Sequence, residues 1–212
     1  MKCILCGSEQ IRRIKPEIYF RCNQCDLIFI DKQEIVSKEE EYKTYAQHEN
    51  SFECKGYVEM FHRFINKVIK PYKSEISTAL DFGCGNGPVL ASLLEDEMNF
   101  KTDIYDPNFY PEKVYANKKY DLITSTEVFE HLKNPVKTLK LLYSHLSEQG
   151  LLAVMTSFHS SIDDFAEWWY IRDKTHITFY SDKTFYWIEE NMPFELVYMD
   201  GKKYCLFRKK KY

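Results

Sequence analysis

The stretch TALDFGCGNGPVL, Thr78–Leu90, decides how the rest of the chain is read. Its apolar start closes on Asp81, glycines follow at Gly83, Gly85 and Gly87, and a helical pattern, PVLASLLEDEM, begins at once. The succession is strand, bare turn, helix. Alternate glycines let the backbone turn sharply and approach a ligand where any Cβ would obstruct it, and the start of a helix offers free N–H groups to an anion. In an open parallel sheet this first strand–helix turn lies at the carboxyl edge, where ligands collect. The pattern G-x-G-x-G differs from a dinucleotide fingerprint, which needs glycine where Pro88 stands, and from a phosphate-binding loop, which ends Gly-Lys-Ser/Thr. Asp81 beside the turn disfavours a pyrophosphate and suits a ligand that carries an ammonium group.

Downstream, KTDIYD, YDLITST and GLLAVMTSF read as strands, and PVKTLKLLYSHLSEQ reads as a helix between the last two. Strands and helices alternating in this way imply right-handed crossovers and a mostly parallel sheet. The end differs: DKTFYWIEEN reads as a helix, and FELVYMD and KYCLFRK as strands close enough to pair antiparallel through a turn at Gly201. Upstream, GYVEMFHRFINKVIKPY places Val58, Phe61, Phe64, Ile65 and Val68 on one helical face, with Pro71 ending it. The aromatic stripe is read as core packing, with the covering of a ligand as the alternative.

The first residues carry a separate signal. Cys3, Cys6, Cys22 and Cys25 form C-x2-C-x15-C-x2-C, with Gly7 and Asp26 placed to turn the chain after each pair. Four thiolates that converge tetrahedrally suit one zinc ion, and a closed four-cysteine site is structural. So short a segment has little core, so the metal supplies most of its folding energy. YFRC and LIFI read as strands of a zinc ribbon. Three units follow: a ribbon over 1–31, a helical linker or cap over 32–76, and the main domain over 77–212.

Composition bounds the function classes. Hydrophobic residues make up 44% and charged residues 29% of the chain, the balance of a soluble globular protein. The formal net charge of -3 gives no overall argument for a nucleic-acid partner, and DNA is not expected. No apolar run approaches the ~20 residues that span a bilayer, and MKCILCGSEQ holds no apolar signal region, so a cytoplasmic location away from membranes is expected.

From Ser77 onward the chain resembles a class I S-adenosylmethionine-dependent methyltransferase, on LDFGCGNG, on the acid in DIYDPN and on YDLITSTEVFEHLKNP. S-adenosylmethionine carries both the ammonium group that suits Asp81 and a carboxylate for the loop amides. The resemblance implies an α/β fold with a Rossmann-like, mostly parallel sheet and, here, an antiparallel C-terminal hairpin, after the zinc ribbon and helical linker. It implies that Asp81, Gly83, Cys84 and Gly85 hold the methionine end, that Asp106, followed by Pro107, binds the ribose hydroxyls, and that Glu127 and Val128 approach the methionine moiety. A helix cap is the plainer reading of Asp106. Glu127 to His131 are expected just past the fourth strand, on the cofactor side, with the start of the next helix as the plainer reading of Glu130 and His131. PNFYPEKVYANKKY departs from the family: it is short, and Glu112 is its one acid.

The acceptor is expected in the loop FHSSIDDFAEWWYIRDKTHITFYS, whose length marks it as functional. His176 is the expected general base, because a histidine pKa of about 6.5 suits proton abstraction at neutral pH; the alternative is that the Thr175–His176 pair only fixes the loop. Tyr170 is the second expected catalytic residue, and with Trp168 and Trp169 it lines an acceptor pocket or packs a lid. Three functions are carried forward. They are methyl transfer to a small polar metabolite such as a sugar or sugar-linked intermediate, methylation of an RNA base with Arg12, Arg13, Lys15 and Arg21 of the ribbon as clamp, and a non-catalytic scaffold. Oligomeric state is left open.

Overall fold

The structure, a computed structural model, describes residues 1–47 and 49–211. Strands are β1 (Ile11–Ile14), β2 (Tyr19–Cys22), β3 (Ile28–Ile30), β4 (Thr78–Phe82), β5 (Lys101–Tyr105), β6 (Tyr120–Thr126), β7 (Leu146–Met155), β8 (Thr178–Phe179), β9 (Phe194–Met199) and β10 (Tyr204–Lys209). Helices are α1 (Lys38–Ala46), α2 (Lys55–Phe64), α3 (Val89–Asp96), α4 (Pro135–His145) and α5 (Asp182–Asn191).

A six-stranded sheet runs in the order β5-β4-β6-β7-β10-β9, with β5, β4, β6 and β7 parallel and β10 and β9 antiparallel. Side-chain alternation builds a core on each face. Ala79, Leu122, Leu151, Ala153 and Leu206 meet α2 and α3 residues such as Phe61, Phe64, Leu90 and Leu94. Leu80, Ile123, Leu152, Val154 and Phe207 meet Leu139 and Leu142 of α4 and Phe185 and Ile188 of α5. Burial on both faces explains why YDLITST and LLAVM carry so few charges.

Two local features differ from the sequence reading, and a third, the helix-free crossover after β5, agrees with it. The α4 helix stops at His145 and β7 starts at Leu146 without a loop; Gln149, inside β7, is left-handed (φ 63°), and the pairing with β6 shifts register between Tyr120 and Leu122. The linker helix ends at Phe64, ahead of Pro71, and continues as wider and then tighter helical turns through Glu75. Residues 106–119 form no helix, so β5 stays an edge strand and the crossover to β6 passes in turns.

The cysteine segment is not a free appendage. Its strands β1, β2 and β3 are extended by β8 from the main domain, with Ile28 opposite Phe179 and Phe29 opposite Thr178. Ile14, Tyr19, Ile28 and Ile30 share a core with Phe165, Tyr170, Ile177 and Phe179. Asp26 fastens the join: its carboxylate pairs with Arg21 and accepts a hydrogen bond from Ser181 Oγ at 2.7 Å, and its carbonyl accepts one from His159 Nε2 at 3.0 Å. Asp26 sits at φ 63°, a conformation Asn tolerates as well. Asp26→Asn therefore keeps the turn and removes the charge opposite Arg21. The expected cost is about 3 kcal/mol and a melting temperature lower by about 10 °C; thermal unfolding of both proteins measures it, and coincident curves would show that the contact contributes nothing.

Candidate active site

The carboxyl ends of β4, β5 and β6 open on a cavity of about 450 Å³, within the roughly 300–1,000 Å³ of ligand pockets. The turn after β4 forms its floor. Gly83 (φ 87°) and Gly85 (φ 68°) are left-handed, and a Cβ on Gly83 would lie 2.3 Å from Val128 Cγ2, so glycine is required by both backbone and space. Asn50 lies across the same turn: a Cβ on Gly87 would meet its carbonyl oxygen at 1.6 Å.

Asp81, Gly83, Cys84, Gly85, Asp106, Pro107, Glu127 and Val128 all line the cavity, as does His176 from the long loop. Asp81 is 2% exposed and accepts a hydrogen bond from Thr124 Oγ1 at 2.9 Å; burial pushes its carboxyl up to about 7 against that bond. Asp106 holds the loop together: Oδ2 accepts from Gly85 N at 3.1 Å, and Oδ1 from Asn108 N at 2.8 Å and Phe109 N at 3.1 Å. The capping role and a place on the cavity wall thus coincide in one carboxylate, which retains lone pairs for further donors.

Sequence reasoning missed most of the helical part of the wall. Tyr45 and Glu41 of α1, and Tyr57, Met60 and Phe61 of α2, roof the cavity, so the linker's aromatic stripe serves both core and ligand cover. Phe109 lines it with Tyr42 packed 5.7 Å away, whereas Glu112 stays exposed away from it. His131, expected on the cofactor side, closes a short helical turn, Phe129–His131, and enters the cavity. Its position one residue after Glu130, itself one helical turn from Glu127, was the available signal.

A methyltransferase-domain family model matches residues 42–198. The chain belongs to this family. It carries a methyltransferase domain over most of its length. Among solved structures, similarity extends to a putative sarcosine dimethylglycine methyltransferase from Galdieria sulphuraria, with TM-score 0.54, 12% identity, 74% of this chain and 87% of that one. A chain from the complex of a Haloferax volcanii methyltransferase activator with a putative methyltransferase is similar at TM-score 0.53 and 12% identity, over 83% of this chain and all (100%) of that one. An O-methyltransferase family protein from Burkholderia thailandensis is similar at TM-score 0.49 and 8% identity; 79% of this chain aligns, and it spans 62% of that protein. At these identities the likeness is one of fold. A search among curated proteins finds no match.

In this methyltransferase the two residues expected to catalyse sit differently. His176 is 8% exposed, faces the cavity, and donates from Nδ1 to the Tyr170 carbonyl at 2.7 Å, so it also fixes its loop. Tyr170 lies behind the cavity wall, 1% exposed. Its hydroxyl donates to Glu130 Oε1, with Glu127 Oε2 at 3.2 Å and Thr156 Oγ1 at 3.3 Å beside it. Burial first, then the two glutamates, holds its phenol well above the usual range, so it stays a neutral donor that positions carboxyls. Trp168 and Trp169 face a second cavity, with Phe165 and His159, and not the first.

The cysteines converge. Sγ atoms of Cys3, Cys6, Cys22 and Cys25 lie within 4.8 Å of one another, with Cys3–Cys25 at 3.5 Å and Cys6–Cys22 at 3.4 Å. Gly7 (φ 75°) and Asp26 (φ 63°) make equivalent turns after each pair, with N–H bonds back to Cys3 O and Cys22 O, both 3.0 Å.

The Gly83 contact is directly testable. Gly83→Ala meets both the Val128 methyl and a left-handed backbone, and should cost about 1–3 kcal/mol. Adding Val128→Ala should recover part of the loss, because only the backbone strain then remains. Melting temperatures of the two variants compared with the parent decide it, and no recovery in the double variant would show that Val128 is not the obstacle.

Proposed function

We propose that this methyltransferase transfers the methyl group of S-adenosylmethionine to a small polar metabolite such as a sugar or sugar-linked intermediate. One observation carries the reading: the cavity holding the glycine turn, Asp81 and Asp106 also holds His131 and His176, under the roof of α1 and α2. Cofactor and acceptor residues share one enclosed space, which favours a small acceptor over a polymer. Its charge agrees. Glu41, Asp81, Asp106 and Glu127 line it, with no Lys or Arg among the described lining residues, a poor field for a polyanion.

The cofactor assignment follows from donor chemistry. Asp106 presents carboxylate oxygens for a cis-diol, the amides of the glycine turn accept a carboxylate, and Asp81 offers the buried charge an ammonium group would pair with. The sulfonium donor supplies an activated methyl group when bound; the chain's residues align the acceptor and remove its proton. The RNA reading has less support, because Arg21 is engaged with Asp26 and Arg13 stands over the Phe20 ring, 4.9 Å from its centroid. Arg12 and Lys15 remain of the four.

Calorimetry of S-adenosylmethionine binding tests this. Micromolar affinity in the parent should fall at least tenfold in Asp106→Ala. Pairing with the ammonium requires ionised Asp81, whose carboxyl titrates at about 7; affinity should therefore fall as pH drops below that value, by about tenfold per unit at the limit, and level off above it until the ammonium itself titrates near about 8. Absence of binding in the parent, or a flat pH profile, would sink the respective assignment.

The four sulfurs fit a structural zinc ion, whose Zn–S bonds of about 2.3 Å set tetrahedral S···S edges near about 3.8 Å. Metal analysis should return one zinc per chain, and Cys22→Ser should lose it along with the shared core around Phe179. Full retention of fold in a zinc-free protein would refute the assignment.

A further inference from the structure

A second constellation lies between the cofactor turn and the long loop. One carboxylate oxygen of Glu130 and one ring nitrogen each of His131 and His176 lie within 4.8 Å of one another. Both imidazoles are oriented from behind by backbone. His131 Nδ1 stands 2.9 Å from the Thr175 carbonyl and His176 Nδ1 stands 2.7 Å from the Tyr170 carbonyl. A carbonyl only accepts, so each Nδ1 carries the hydrogen and Nε2 is the ring atom able to ligate, with Asp173 Oδ2 standing 3.8 Å from that of His176. This is the arrangement that fixes metal-ligating histidines. Glu130 is oriented as firmly, by Tyr170 Oη on one oxygen and Thr156 Oγ1, at 2.8 Å, on the other. Among the described residues neither Glu127 nor Glu130 forms an ion pair with Lys, Arg or His. Two adjacent buried carboxyl groups without a cation are costly to keep charged.

We propose that Glu130, His131 and His176 form a divalent-cation site, separate from the cysteine cluster, which binds the hydroxyl of the acceptor. Two imidazoles and one carboxylate suit a borderline divalent ion of the Mn²⁺ to Zn²⁺ series and leave coordination positions open. His131 and His176 face the cavity that Glu127, Gly83 and Asp106 also line, so those open positions look toward the methyl donor. The acceptor class is therefore an alcohol, and a vicinal diol fits best because it fills two adjacent positions. The inference rests on the methyl-donor reading of the same cavity.

The step balances without an oxidant or reductant. The metal-bound hydroxyl is acidified and loses its proton to the Glu127 carboxylate, which sits beside Glu130 and inside the cavity. The oxygen lone pair forms the new C–O bond as the donor's C–S bond breaks, and that electron pair stays on sulfur as a neutral thioether. Glu127 then releases the proton to solvent. His176 acts here as a ligand in place of the free general base that its loop position suggests.

The test is titration of the zinc-containing full chain with Mn²⁺, followed by the paramagnetic resonance signal of the free ion, with binding of the demethylated cofactor product measured by calorimetry on the same sample. One Mn²⁺ per chain is expected, weakened at least tenfold in His131→Asn and in His176→Asn. Should a variant fail to fold, the parent alone decides: bound Mn²⁺ must broaden the ring proton resonances of His131 and His176 selectively. No stoichiometric Mn²⁺ binding, or binding that leaves both histidines sharp, overturns the proposal. Product binding without Mn²⁺ binding refutes the metal site and leaves the cofactor reading standing; Mn²⁺ binding without product binding does the reverse.

Discussion

Tyr170 links the two halves of the molecule through one side chain and one carbonyl. Its ring lies in the core shared by Ile14, Tyr19 and Ile28 of the cysteine segment and Phe165 and Phe179 of the long loop. Its hydroxyl donates to Glu130, and its carbonyl receives the His176 Nδ1 hydrogen. Whatever fixes the ribbon fixes that ring, and the ring fixes a carboxyl and an imidazole at the cavity. A buried hydroxyl can hold such a place only while its partner is present, since an unmatched donor there costs about 1–3 kcal/mol. The cysteine segment is on this account part of the site's support.

The same argument explains why the ribbon borrows β8. The three short strands have two edges, β1 and β3, and an unpaired edge such as that of β3 would be a liability. Pairing Ile28 and Phe29 with Phe179 and Thr178 closes it with residues that follow His176 by only two and three positions. Backbone pairing on one side of His176 and the Asp173 turn, where its carboxylate accepts from Thr175 N at 2.8 Å, on the other leave the imidazole little freedom. Rigid elements on both sides are what a positioned functional side chain requires.

Legibility in the sequence followed the range of the interactions. The glycine turn, β4 to β7 and the terminal hairpin were readable because their signals are local: alternation, glycine at left-handed positions, apolar runs bounded by turns. Every cavity residue anticipated from LDFGCGNG, DIYDPN and STEV does line the cavity, because each lies at the carboxyl end of a parallel strand and the sheet brings those ends together. β8 has only two residues and no periodicity, and its pairing with β3 spans the whole cofactor domain, so nothing local announces it. Asn50 over Gly87, Tyr45 and Tyr57 over the cavity, and Tyr170 behind it are likewise long-range. The plainer reading of His131, a helix start, fails for a different reason. The E-x-x-E-H run satisfies a helical period, but Glu127 takes a left-handed φ of 52°, which no helix accommodates, and the chain turns the histidine inward instead.

That left-handed glutamate carries a further implication. A non-glycine residue in this region costs of order 1–3 kcal/mol and persists where the surroundings over-determine it. Here Glu127 N–H donates to Met155 O at 2.8 Å and its carboxyl meets Tyr170, so the strained backbone is held from both ends. Relaxing the turn to a regular helix would move Val128 beside Gly83 and His131 beside His176 together, because only three peptide units separate the two residues. The glycine turn and the histidine side of the cavity are therefore coupled through the short segment Val128–His131.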